Sequence, residues 1–326
     1  MLDKKQVMKI KLLTILFSSI FISSYAQTYS IDEVFSKNFQ TSFISRGNNL
    51  PDFKIAKDSM NLLLVCLHNG ISIAEFQSKV NFDDPKMQNI ILLLKSKNWL
   101  HEFNNEIKPS VFIACKHDGE MLYKYAKPIS SAIAERIEQK LPEIKKQFSR
   151  TEISKKQSFE EWSFLVLSDV LLDNWQIFSV ENEFLGASAR PNRHGKNYYA
   201  SIIELTSDRE GFNIYGNQFG NISVYGNNRR KADLTETKYY VSIADEEIFS
   251  QIAESFLPDL VQILNENKKY SEKIYRELGY SKEITFEEFY MWWYHFIYTE
   301  TTDIMNENQI LTIPKDGNFV YEIEMD

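Results

Sequence analysis

The chain has 326 residues, 43% hydrophobic and 14% aromatic. That is enough apolar side chain for a packed core and enough length for two ordinary domains, which excludes wholesale disorder. The formal net charge of −8 is uneven, with +3 over residues 27–150 and −14 over 151–326, and a half that acidic repels a phosphate backbone.

In chain order, Lys4, Lys5, Lys9 and Lys11 lead into an apolar run over residues 12–22, and the small residues Ser24 and Ala26 follow. Basic lead, short apolar core and small-residue exit describe a secretory signal cleaved after Ala26. The run is shorter than the roughly 20 residues that span a bilayer. Residues 1–26 are therefore expected to be removed, leaving a periplasmic or secreted chain without stable membrane insertion. Cys66 and Cys115 are too few for a disulfide-built scaffold; in an oxidising compartment they pair once or stay as buried thiols, and the sequence leaves both open.

Residues 62–67 close a short apolar helix at His68, Asn69 and Gly70, a stop-and-turn signal. Ser72 with Glu75 three residues on makes a capping box for a second helix. Asp83, Asp84 and Pro85 open a third, with acids at the positive helix end. Residues 99–103 and 111–115 read as two strands joined by a polar loop, and an amphipathic helix is predicted over about 130–148. Three helices, a two-stranded hairpin and a long helix, with "SKNWL" before the hairpin and "KHDGEMLYKYAKPISSAIAERI" after it, resemble the winged helix-turn-helix domain in its MarR-type arrangement. The resemblance covers residues 52–150. It implies that the third helix would enter a DNA major groove through its first turn. Here Asp83 and Asp84 put carboxylates where phosphates would lie, so no nucleic-acid partner is expected.

Residues 147–157 are polar and form the expected hinge. The stretch 158–178 carries Trp162, Leu165, Leu167, Val170, Leu171 and Leu172 and reads as a central core helix. Residues 198–205, 212–215 and 222–225 are predicted as a three-stranded antiparallel meander. Helices follow over 245–265, 269–278 and 286–305, the last aromatic on every side around Trp292 and His295. Strands at 310–313 and 319–323 are expected to close the chain as a hairpin. The fold class is thus α+β: a winged-helix-like domain (27–150), then a helix-rich domain (151–326) with a small antiparallel sheet.

One polar cluster stands out in the acidic half, at Arg190, Arg193, His194 and Lys196, just before Tyr198 and Tyr199. Arginine forks suit carboxylate or phosphate, and histidine moves protons near neutral pH. These six residues are the candidate ligand-binding set, and His194, Arg190 and Arg193 the candidate catalytic groups. The alternative is a basic loop pairing with its acidic surroundings. The five histidines lack metal-ligand spacing, no nucleophile, phosphate-loop or dinucleotide motif is present, and no metal or cofactor is expected. His295 reads as a satisfied core histidine. The leading expectation is an exported, non-enzymatic binding or protein-interaction protein, self-associating or meeting another protein through its apolar helices. The competing one is a secreted hydrolase or transferase using the 190–196 loop.

Overall fold

The computed structural model describes residues 29–186, 190–205, 214–229, 232–235 and 237–324. The predicted signal segment and the strand start at Phe212 and Asn213 lie outside the described residues. The chain is mixed helix and sheet with small sheets, an α+β architecture.

Helix α1 (Ile31–Ser36) leads into strand β1 (Phe39–Ser45). Helices α2 (Met60–His68), α3 (Ile73–Val80) and α4 (Asp84–Ser96) follow. The Ser72–Glu75 capping box forms as expected, and the Asp83 carboxylate caps α4 by accepting from the Lys86 backbone N–H at 2.9 Å. Strands β2 (Leu100–Phe103) and β3 (Glu106–Pro109) make the hairpin. Its two-residue loop, Asn104 and Asn105, has φ of 51° and 65°, the conformation that a type I′ turn needs and asparagine tolerates. Residues 111–115 are therefore not the second hairpin strand: β4 (Phe112–Ala114) runs parallel to a strand much later in the chain.

Helix α5 (Lys116–Phe148) starts well before the expected position and carries Gly119, Pro128 and Pro142 inside it. Contacts along the helix outweigh those breakers: Trp293 Nε1 donates to Leu122 O at 3.0 Å, and Ser130 Oγ to Ile297 O at 2.8 Å. Helix α6 (Phe159–Phe164) widens into a π-helical segment, Leu165–Val170, and a second π segment spans Val180–Phe184. Strands β5 (Asn192–Arg193), β6 (Lys196–Glu204), β7 (Tyr215–Phe219), β8 (Ile222–Gly226) and β9 (Tyr240–Val241) come next. Helices α7 (Ile243–Glu266), α8 (Lys268–Glu277) and α9 (Phe286–Glu307) precede the last strand, β10 (Asn318–Ile323).

The predicted meander divides between two sheets. The first has the order β1-β6-β4, with β5 folded back on β6; the second has the order β7-β8-β10-β9. Residues 310–313 form no strand, and β10 pairs with β8 and β9 instead of a hairpin partner. Pairings over such sequence distances leave no local signal, which is why adjacent apolar runs read as one meander.

β6 governs the architecture. Tyr198, Ala200 and Ile202 face a core built from α1–α4 and the hairpin, while Tyr199 and Ile203 face the core of α5 to α9. β4 splits the same way, Ile113 to the first core and Phe112 and Ala114 to the second. Alternate residues of a strand point to opposite faces, and a strand buried on both reads as an unbroken apolar run. The two cores therefore meet at this sheet. The polar stretch 147–157 lies within the second core, where Phe148, Thr151 and Ile153 are buried.

Candidate functional site

The 190–196 cluster is built as a hairpin. His194 (φ 57°) and Gly195 (φ 80°) form its two-residue turn, with Asn192 opposite Asn197 and Arg193 opposite Lys196. The charged side chains leave it in different directions. Arg190 makes a bidentate pair with Glu181 of the second π segment, at 2.8 and 2.7 Å. Arg193 reaches both oxygens of Glu288 at 2.7 and 2.8 Å, and its remaining donors meet the carbonyls of Asn98, Ser110 and Tyr198. Glu288 also accepts the Ala200 backbone N–H at 3.0 Å. Burial raises the Glu288 carboxyl, with Arg193 working against the shift. Lys196 donates to Asn48 O at 2.7 Å, and His194 stands exposed at the turn. Tyr198 accepts from Trp99 Nε1 at 2.9 Å. Tyr199 is fully buried with the Arg190 guanidinium 5.5 Å over its ring. The two arginines fasten β5 and β6 to the π segment, the hairpin and α9.

A second polar cluster joins the two cores. His68 at the end of α2 has Nδ1 2.8 Å from Glu283 and Nε2 3.4 Å from Asp118 of α5. Burial opposes its charge, but the two carboxylates outweigh burial and lift the imidazole to about 10. Beside it Cys115 is a free, buried thiol raised by burial and by Asp118, and Cys66 is likewise free and pushed up to about 12. Thiols held this far above neutrality are not nucleophiles. Among the described residues no three His, Cys, Asp or Glu side chains are placed to hold a metal.

The site with chemical potential lies elsewhere. A cavity of about 410 Å³ opens between β1 and the β7-β8 edge of the second sheet, over the π segment and α9. β1 contributes Gln40, Ser42 and Ile44, α9 gives Trp292 and His295, and β10 gives Tyr321. Its deep wall holds Asp169, inside the π segment, and Asp173, just beyond it; they are 1% and 7% exposed. The Asp173 backbone N–H donates to the Asp169 carbonyl at 2.9 Å, so the pair stacks along one helical turn. A π segment inserts a residue into the helical register and recurs at functional sites.

Burial raises both carboxyls. For Asp169 the charge of Asp173 adds to the rise, against the Asn174 backbone N–H (3.2 Å) and the Tyr321 hydroxyl. For Asp173 the Tyr298 hydroxyl and Arg229 pull back, leaving it at about 7. His295 donates from Nδ1 to the Met291 carbonyl at 2.8 Å, a bond the carbonyl can only accept. Burial lowers its value to about 4, so the ring is neutral and Nε2 keeps its lone pair.

Sequence reasoning passed over this site. Asp169 and Asp173 sit four apart in a stretch chosen for its apolar residues, and two acids at that spacing in such a helix were the available signal. The aromatic helix around Trp292 reads in the sequence either as the wall of a ligand groove or as buried core, and Trp292 and His295 are both buried while lining the cavity.

Comparison with protein-family models, with curated proteins and with solved structures returned no match.

Proposed function

We propose that the chain is an exported, non-enzymatic binding protein whose ligand seat is the cavity between β1 and the second sheet. The observation that carries the reading is the cavity itself, sized for a small molecule and lined by aromatic rings with a few placed polar groups. In this reading residues 52–150 keep a winged-helix-like arrangement of α2, α3, α4 and hairpin but do not read DNA. Asp83 and Asp84 stand at the start of α4, Asp84 accepts from Gln77, and the nearby Lys86 is paired with Asp58 at 3.0 Å. The apolar faces of 130–148 and 158–178 pack within the chain, so binding needs no second copy. Soaking a fragment mixture into crystals of the mature protein tests the seat. Density for a fragment against Trp292 and Asp173 is the expected result, and a cavity that takes none overturns the reading. A titration with mixed-sequence duplex at low salt tests the rest; micromolar binding that weakens steeply with salt refutes it. Mass spectrometry of the native N-terminus, expected at Gln27, tests export.

A second reading, a hydrolase, is favoured by one observation. Asp173 changes protonation near neutral pH beside a second carboxyl that burial also raises, a pairing of the kind that acid–base bond cleavage uses. Turnover of any ester or glycoside library member that Asp173→Asn abolishes would replace the binding reading.

A further inference from the structure

We propose that the cavity selects a ligand carrying a protonated amine on a flat aromatic body, the ammonium seated between Asp169 and Asp173. The inference rests on the binding reading and adds the chemical class of the ligand. Its first support is the inventory of the wall. Asp169, Asp173 and His295 are among the residues that line the cavity, and the described lining residues include no lysine or arginine. Arg229, outside the lining, offsets part of the charge of Asp173. An ammonium donates three hydrogen bonds and brings one positive charge, which matches that excess of acceptors. Anions find no counter-charge in the lining. Two cations, the exposed Arg46 and the Glu181-paired Arg190, lie 3.8 and 5.1 Å over the ring of the lining residue Phe178.

The second, independent support comes from the aromatic wall. Trp292 is 3% exposed, lines the cavity, and its indole Nε1 has no hydrogen-bond partner. Phe43, Phe178 and Tyr321 add apolar and ring surface, so the body that fits is an aromatic ring and not an open polyol. Ring faces also attract a nearby cation, which works in the same direction as the acids.

Three probes share one body and differ only in the head group: tyramine (cation), tyrosol (neutral alcohol) and 4-hydroxyphenylacetate (anion). In calorimetric titration of the full mature protein, tyramine is expected to bind at least about tenfold tighter than tyrosol, a difference of about 1.4 kcal/mol, with the anion weakest. In Asp169→Asn/Asp173→Asn the preference for tyramine over tyrosol should fall to about threefold or less. Should that variant misfold by near-UV circular dichroism, Ser42→Phe on β1, which fills the cavity from the other wall, should remove tyramine binding and leave the fold. Tyrosol binding as tightly as tyramine, the anion binding best, or none of the three binding at millimolar concentration overturns the amine. The two failures are distinguishable: fragments without an amine seated in the cavity leave the binding reading standing while the amine falls, and a cavity that takes no fragment removes both.

Discussion

Asp173 shows how a single buried group ties stability to its protonation. Its carboxyl lies at about 7 in the folded chain against 3.8 for a free side chain, chiefly because burial penalises the charge. The fold therefore holds a proton that the unfolded chain gives up. The stabilisation is full below pH about 4 and is lost as pH climbs through about 7. Asp173→Asn keeps the shape and removes the titration, so it should unfold later in urea than wild type at pH 8.5, by up to about 4 kcal/mol, and match it at pH 4. A variant weaker than wild type at both values would show that the carboxylate is tied to its neighbours and not strained by burial. His68 has the opposite sign of charge. Its raised value keeps the imidazolium paired with Glu283 and Asp118 through neutral pH; that contribution is full below pH about 6.5 and is lost by the time pH has risen through about 10. His68→Gln should accordingly destabilise at pH 7 and converge with wild type above pH 10 in the same urea assay.

At the scale of elements, the Arg193–Glu288 pair is the fastening between β5, β6, the hairpin and α9. Removing one partner of a buried pair strands the other, at a cost of about 3–5 kcal/mol. Arg193→Met also strips a donor from the Asn98 and Ser110 carbonyls. It should therefore cost more in urea denaturation than Glu288→Gln, which keeps an acceptor for Arg193 and for the Ala200 N–H. Equal losses would show that those carbonyl contacts contribute nothing. Most helices were legible because their signals are local: a Ser–Glu box at α3, acids and proline at α4, and Ile248, Ile252, Phe256 and Leu260 at four-residue spacing along α7. The cluster 190–196 was legible as chemistry but not as structure, since the carboxylates that pair with Arg190 and Arg193 lie on a π segment and on α9. Strand partners failed for the same reason. Nothing near residues 111–115 states that they pair with β6, whereas the adjacent Asn104 and Asn105 are a local signal for the turn that closes the hairpin.

For the whole molecule, the shared sheet sets what can fold alone. Residues 29–150 include β1 and β4 but lack β6, whose Tyr198, Ala200 and Ile202 close the first core. A fragment ending at Arg150 should stay unfolded by circular dichroism, and the full chain should melt in one calorimetric transition. Two separate transitions, or a folded fragment, would mean that the first core closes without β6. No helix among the described residues is long and apolar enough to cross a membrane.

The position of β6 also sets a timetable. Phe39 waits for Glu204 and Ser45 for Tyr198, so as the chain is made from its N-terminus the first core stays open until nearly two thirds of the residues have emerged. Loop closure over such a span is slow. During that interval the early helices expose their apolar faces and invite holding factors or aggregation. The same delay keeps the leading segment threadable. The topology itself supplies the postponement, because Phe39 and Ser45 have no strand partners until β6 has emerged.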